Sequence, residues 1–216
     1  MKLCTKIAFV VLLGGISLSY GQDTSGYSAS IRNLQESFDC NYDTAVAYFN
    51  IIENFVEKVQ TDFEDLASSD EDFSVKLKRV KPIITKYFEN EYSNVQVSNL
   101  RNGRIQLFDY PVRQYLVRLA SKGKMFSRVE LLFWPDYLGM GRLYKVGENY
   151  EISVSMWQIF RGWIENRITY EDATKKKFRL VLIPLGNGRL QLTIGEIMVT
   201  ETIDLLKFKS KIQIDK

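Results

Sequence analysis

The sequence predicts an α+β domain in which N-terminal helices pack on a bent antiparallel sheet. Two observations carry that expectation. Apolar residues recur at helical spacing between residues 41 and 88, and after Gly123 the period changes to two. The period-two runs are long and are separated by turn residues, so consecutive strands should fold back on one another as hairpins.

The first residues place Lys2 and Lys6 ahead of an apolar run, Ile7 to Tyr20, and small residues at Ser19 to Gly21. This is the order of a secretory signal peptide, with cleavage expected after Gly21. The run of 14 residues is shorter than the roughly 20 that a membrane span needs, so a retained anchor is the weaker alternative. Export to the periplasm or the extracellular space follows as an expectation, without stable membrane insertion after cleavage. Residues 22–40 are polar and read as a partly ordered lead-in.

From Asn41 or Asp43 as N-cap, Ala45, Phe49, Ile52, Val56, Val59, Phe63 and Leu66 form one helical stripe. A second helix follows the acidic cap at 68–72, with Phe73, Leu77, Val80, Ile84 and Phe88 on one face and a kink expected at Pro82. Val95–Val97 and Ile105–Phe108 read as extended, joined by an Asn102-Gly103 hairpin turn. A short helix starts at Pro111 and stops near Gly123. Strands are then expected at 126–134, 150–163, 178–183 and 190–203, with a connection at 136–147 and a bulge at Gly195. Residues 41–203 make one domain, and 204–216 a basic C-terminal tail.

The composition narrows the chemistry. The chain has no histidine, which removes Ser-His-Asp and Cys-His nucleophile activation and nearly all catalytic zinc sites. Loss of Lys2 and Lys6 with the signal leaves 27 basic residues against 26 acidic ones, too even a balance for nucleic-acid binding. It also removes Cys4 and leaves Cys40 alone, so no intramolecular disulfide is expected. No metal site or cofactor motif is present. Carboxylate, tyrosine or lysine chemistry remains open, as does binding without chemistry.

The element order resembles the nuclear-transport-factor-two-like, cystatin-like cone fold, in which a bent sheet wraps around helices and leaves a cavity at its wide end. The stretch from Trp157-Gln158-Ile159-Phe160-Arg161-Gly162-Trp163 through Tyr170-Glu171-Asp172-Ala173-Thr174-Lys175-Lys176 to Ile194-Gly195-Glu196-Ile197 is similar to exported bacterial proteins of that superfamily. That resemblance implies a hairpin turn at Tyr170 to Lys176, with Asp172 bonding the turn backbone. It also implies dimerisation through the sheet. Two enzymes of the superfamily bear on activity: ketosteroid isomerase works with an aspartate base and tyrosine and aspartic-acid donors, and scytalone dehydratase relies on histidine. The inward phase Ile152, Val154 and Met156 offers no aspartate at the place of the isomerase base.

The leading expectation is therefore a non-catalytic exported module that binds a protein or small-molecule partner. Its candidate surface is the strand face of Ser153, Ser155, Trp157, Arg161 and Trp163, joined by Tyr137, since mixed aromatic and arginine side chains mark interface hot spots. Packing of that face on a helix is the structural alternative. A second hypothesis is an isomerase- or hydrolase-like enzyme using carboxylate and tyrosine groups in the cone, with Asp136, Tyr137, Tyr144, Glu148 and Tyr150 on a connection overhanging the cavity. A third is surface attachment through Lys175-Lys176-Lys177 and the lysines of the tail.

Overall fold

A computed structural model describes residues 24–68, 71–101, 104–185 and 190–205, without the side chains of 24–26, 101 and 134–137. The signal segment, the Asn102-Gly103 turn and the tail beyond Leu205 lie outside the described residues, as does the Tyr137 side chain.

The segment expected to be a lead-in contains a helix, α1 (Thr24–Phe38). Tyr27, Ile31, Leu34 and Phe38 recur at i, i+4, i+7 and i+11, and this sparse stripe is enough to dock it. Ile31 and Leu34 are buried, Tyr27 meets Phe49 edge-on at 4.9 Å between ring centroids, and Phe38 stacks on Tyr48 at 4.4 Å. Its polar residues also have partners. The Ser30 hydroxyl accepts from the Met140 N–H at 3.0 Å, the Asn33 amide donates to the Met140 carbonyl at 2.7 Å, and the Ser37 hydroxyl accepts from the Leu143 N–H at 3.0 Å.

Helix α2 (Tyr42–Ala67) is capped by Asn41, whose side chain accepts from the Thr44 N–H at 2.9 Å, and it buries the whole predicted stripe. Helix α3 (Phe73–Tyr87) runs unbroken through Pro82. Pro82 lies on the exposed face, where water can serve the Lys78 carbonyl that loses its helical donor, while Val80, Ile83, Ile84 and Tyr87 hold the other face in the core. Leu77, expected inside, is exposed, and Lys76 is buried instead with its ammonium donating to the Ser68 carbonyl.

Strands β1 (Asn94–Arg101) and β2 (Arg104–Pro111) form the expected hairpin, and α4 (Val112–Ala120) follows, closing in a 3₁₀ turn at Ser121–Lys124. The remaining strands are β3 (Arg128–Val146), β4 (Asn149–Ile164), β5 (Arg167–Pro184) and β6 (Leu190–Ile203). The six strands make one curved, open sheet in the order β2-β1-β6-β5-β4-β3. All pairings are antiparallel except that of β1 with β6, which is parallel over Asn94–Val95 and Glu196–Ile197.

Two strands are longer than the sequence suggests. The expected connection at 136–147 belongs to β3, which returns into β4 through a tight turn where Gly147 has φ +61°. Its pairing with β4 shifts register between Trp134 and Gly139 and again between Met140 and Leu143, and α1 supplies Ser30, Asn33 and Ser37 to the backbone groups there. The expected turn at Tyr170 to Lys176 lies inside β5; the reversal comes earlier, between Ile164 and Arg167. The bulge at Gly195 is present, since Ile194 pairs with Leu180 and Glu196 with Arg179. A side chain at Gly195 would overlap the Arg179 guanidinium and the Glu89 carboxylate, which pair at 3.0 Å over it.

The helices and the inward residues of β3 to β6, including Leu131, Val154, Met156, Phe178, Leu180 and Ile194, form the main core on the concave face. A second, small cluster of Trp157, Ile159, Ala173 and Leu205 lies on the opposite face.

Candidate functional site

Strict alternation along β5 sends Tyr170, Asp172, Thr174, Lys176, Phe178, Leu180 and Leu182 to the concave face. The last three are core. The first four line a cavity of about 410 Å³ at the open end of the sheet. Its other walls come from Val97 and Ser98 of β1, Phe108 and Tyr110 of β2, Tyr115 and Arg118 of α4, and Gln158 and Phe160 of β4, with Lys122 at the rim.

Asp172 is only 5 % exposed, and its Oδ2 accepts a hydrogen bond of 2.5 Å from the Tyr170 hydroxyl. Burial raises the Asp172 carboxyl above the ordinary carboxylate range, while the Tyr170 hydrogen bond and the positive charges of Lys176 and Lys122 oppose the rise. The Tyr170 hydroxyl is pushed up in turn, by its own burial first and by the negative charge and hydrogen bond of Asp172 second. Asp172 Oδ1 has no hydrogen-bond partner among the described residues.

Lys176 is equally buried at 5 % exposure, and its ammonium donates to the Gln96 backbone carbonyl at 2.8 Å. Removal from water lowers it from the usual 10.5 to about 8, with Asp172 opposing. Between the two, Thr174 and Ser98 share a hydroxyl–hydroxyl bond of 3.1 Å. Burial also lowers Lys122, helped by the charge of Arg118 and opposed by Asp172. Its ammonium lies 5.9 Å from the centre of the Phe160 ring, and the Arg118 guanidinium lies 4.6 Å from that of Tyr110. Tyr115 and Gln158 line the same space, and their polar side-chain atoms make no hydrogen bond among the described residues. Burial pushes the Tyr115 hydroxyl up, so it stays a neutral donor.

An apolar wall of Leu131, Phe108, Phe126 and Phe160 thus faces a few polar groups that converge on one space. A buried carboxyl, two phenols and an amine lowered to about 8 line one cavity.

The residues singled out from the sequence lie elsewhere. Ser153, Ser155, Trp157, Arg161 and Trp163 do share one face of β4, the face turned away from the main core and the cavity, so among the described residues it does not pack on α2 or α3. Trp157 is 4 % exposed, covered by Ile159, Ala173 and Leu205. Arg161 sits between Glu130 at 2.5 Å and Glu171 at 3.7 Å, and Trp163 carries the Arg128 guanidinium 4.7 Å from its ring centre. Ser153 and Ser155 are half-buried. Tyr144 is exposed on β3 and Tyr150 packs near Phe38, so neither overhangs the cavity. Lys176 points inward, so Lys175-Lys176-Lys177 is no surface cluster.

The constellation missed in the sequence was visible as a period. Tyr170, Asp172, Thr174 and Lys176 alternate in phase with Phe178, Leu180 and Leu182, and a strand whose inward residues change from apolar to polar is one that runs from a core into a cavity.

No family model and no curated protein sequence matches the chain. Among solved structures it is similar to a protein named for scytalone dehydratase from Novosphingobium aromaticivorans, at 12 % identity and TM-score 0.43 over 76 % of this chain and 91 % of that one. It is also similar to a Kribbella flavida protein at 9 % identity and TM-score 0.40, over 70 % and 93 %. A third is a protein named for ketosteroid isomerase from Shewanella frigidimarina, at 11 % identity and TM-score 0.29, over 59 % and 88 %. Such likenesses bear on neither activity nor ligand. The chain's own order of helices and strands, its helices packed on one face of a curved open sheet and the cavity beside them agree with the α+β, cone-like architecture expected from the sequence.

Proposed function

We propose that the cone is an active site for a small, largely apolar carbonyl compound, and that Asp172 and Tyr170 move a proton on the carbon beside that carbonyl, as an isomerase does. One observation carries the reading: a buried carboxylate, bonded at 2.5 Å to a phenol, lies in a ligand-sized cavity. The raised Asp172 carboxyl is a stronger base than a solvated carboxylate, and its Oδ1 makes no hydrogen bond among the described residues. Tyr115 and Gln158 supply donors for an enolate oxygen. Carboxylate and tyrosine chemistry needs no histidine, in keeping with a chain that has none.

The test is exchange of the α-protons of 2-indanone in D₂O, followed by proton NMR, with the wild type and with Asp172→Asn. Acceleration over buffer that falls by about 10²- to 10⁴-fold in the variant supports the proposal. Equal rates with wild type, variant and buffer overturn it. If 2-indanone nevertheless shifts resonances of cavity residues, the cone binds without catalysing, which is the reading the composition alone favours.

A further inference from the structure

Lys176 has a part that proton transfer by Asp172 does not use. Its cross-strand neighbours are Met156 on β4 and Val199 on β6, and Phe178 follows it on the same face, so its surroundings are mostly apolar. Among the described residues it has no carboxylate within ion-pair distance, although it lines the same cavity as Asp172. Its one hydrogen bond, to the Gln96 carbonyl at 2.8 Å, uses an N–H and fixes the end of an otherwise flexible side chain. In the neutral amine that leaves the lone pair to be aimed elsewhere, and the described surroundings offer the cavity.

We propose that Lys176 captures the carbonyl carbon of a small ketone or aldehyde as an imine, making the cone an amine-catalysis site. The proposal rests on the cavity reading above and narrows its substrate class. In the capture step the Nζ lone pair forms the C–N bond while the carbonyl π pair moves onto oxygen, and one of the two Nζ protons passes by way of the Asp172 carboxylate to that oxygen. The resulting carbinolamine gives its remaining N–H proton, by the same carboxylate, to the departing hydroxyl, which leaves as water, and a C=N bond remains. Asp172 is then a carboxylate again and takes the proton that the α-carbon of the imine gives up, so the protons balance within the cycle. Desolvation of the amine, which leaves a sizeable neutral fraction near pH 8, is the condition such a lysine needs.

The full chain is incubated with 2-indanone and sodium cyanoborohydride near pH 7, where hydride from the reagent converts an imine into a stable secondary amine. Intact mass and peptide mapping then locate the adduct. The first equivalent is expected on Lys176, forming at least about tenfold faster than on any other lysine, and absent in Lys176→Arg. The map of the wild-type chain decides the matter even if the variant does not fold. Label spread over surface lysines with no preference for Lys176 overturns the imine site. If α-proton exchange persists in that case, the Asp172–Tyr170 reading stands alone, and if exchange is absent too, both fall.

Discussion

Replacing Lys176 by methionine should stabilise the protein near neutral pH. The lysine is 5 % exposed, and burial lowers it from 10.5 to about 8, which at ~1.4 kcal/mol per tenfold change in proton affinity amounts to about 3 kcal/mol. Methionine fills similar space without the charge but gives up the hydrogen bond to the Gln96 carbonyl, worth about 1 kcal/mol net. The expected gain at pH 7 is therefore ~2 kcal/mol, or about 4–8 °C in Tm for a chain of this size. Its pH dependence is the sharper signature. Below about pH 8 the lysine is charged in both folded and unfolded chains, and the folded state bears the full cost. Between about 8 and 10.5 the folded chain has released the proton and the unfolded chain has not, so wild-type stability rises by ~1.4 kcal/mol per pH unit. Above 10.5 the lysine is neutral in both, and the advantage of the variant disappears. Urea unfolding of both proteins from pH 7 to 10.5, read by circular dichroism, measures the difference directly, because other titrating groups largely cancel. A difference that does not change with pH, or a variant less stable than the wild type by a constant amount, would refute a desolvated lysine at this position.

Three further outcomes follow from the geometry. Trp157→Ala should cost ~3–5 kcal/mol in thermal or urea unfolding, since Trp157 is the largest member of a buried cluster, whereas Trp163→Ala, half-exposed beside Arg128, should cost under ~1 kcal/mol. Tyr170→Phe removes the donor that holds the Asp172 carboxyl down, so its titration midpoint, followed by carboxyl-selective NMR or infrared spectroscopy, should move higher. Gly195→Ala places a methyl where the Arg179 guanidinium lies, so it should break the contact of Arg179 with Glu89 and lower stability by ~1–2 kcal/mol, a loss that Arg179→Ala in the same chain should largely cancel.

Elements whose signal is local were legible. The α2 stripe, the Asn41 cap, the β1–β2 hairpin and the Gly195 bulge each rest on a period or turn residue within a few positions. Helix α1 was not, because its apolar stripe of Tyr27, Ile31, Leu34 and Phe38 is thinned by serine, asparagine and glutamate. Those polar residues gain their reason only when Ser30, Asn33 and Ser37 meet the displaced backbone groups of β3 more than 100 residues away. The same non-local pairing hid β3 past Trp134: a strand with two register shifts keeps no simple period, and Gly139 and Gly141 within it look like loop.

The site failed to appear for a related reason, which lies in phase. A polar run such as Tyr170 to Lys176 reads as a turn if β5 is taken to begin at Phe178, and its three lysines then read as a basic surface. Once the strand begins at Arg167, alternation divides the same residues. Lys175 and Lys177 go to one face, while Asp172, Thr174 and Lys176 continue the line of Phe178 and Leu180 into the concave side. The inward residues Ile152, Val154 and Met156 of β4 spoke against an acid in the cone only because they lie deeper; two pairs further along, the same face carries Gln158 and Phe160 beside Asp172 and Thr174. Buried ionisable groups were therefore absent from the strand that was easiest to read and present on its neighbour. A buried aspartate and a buried lysine on one face of one strand are costly to fold, and their place beside a cavity is the reason the proposals above rest on them.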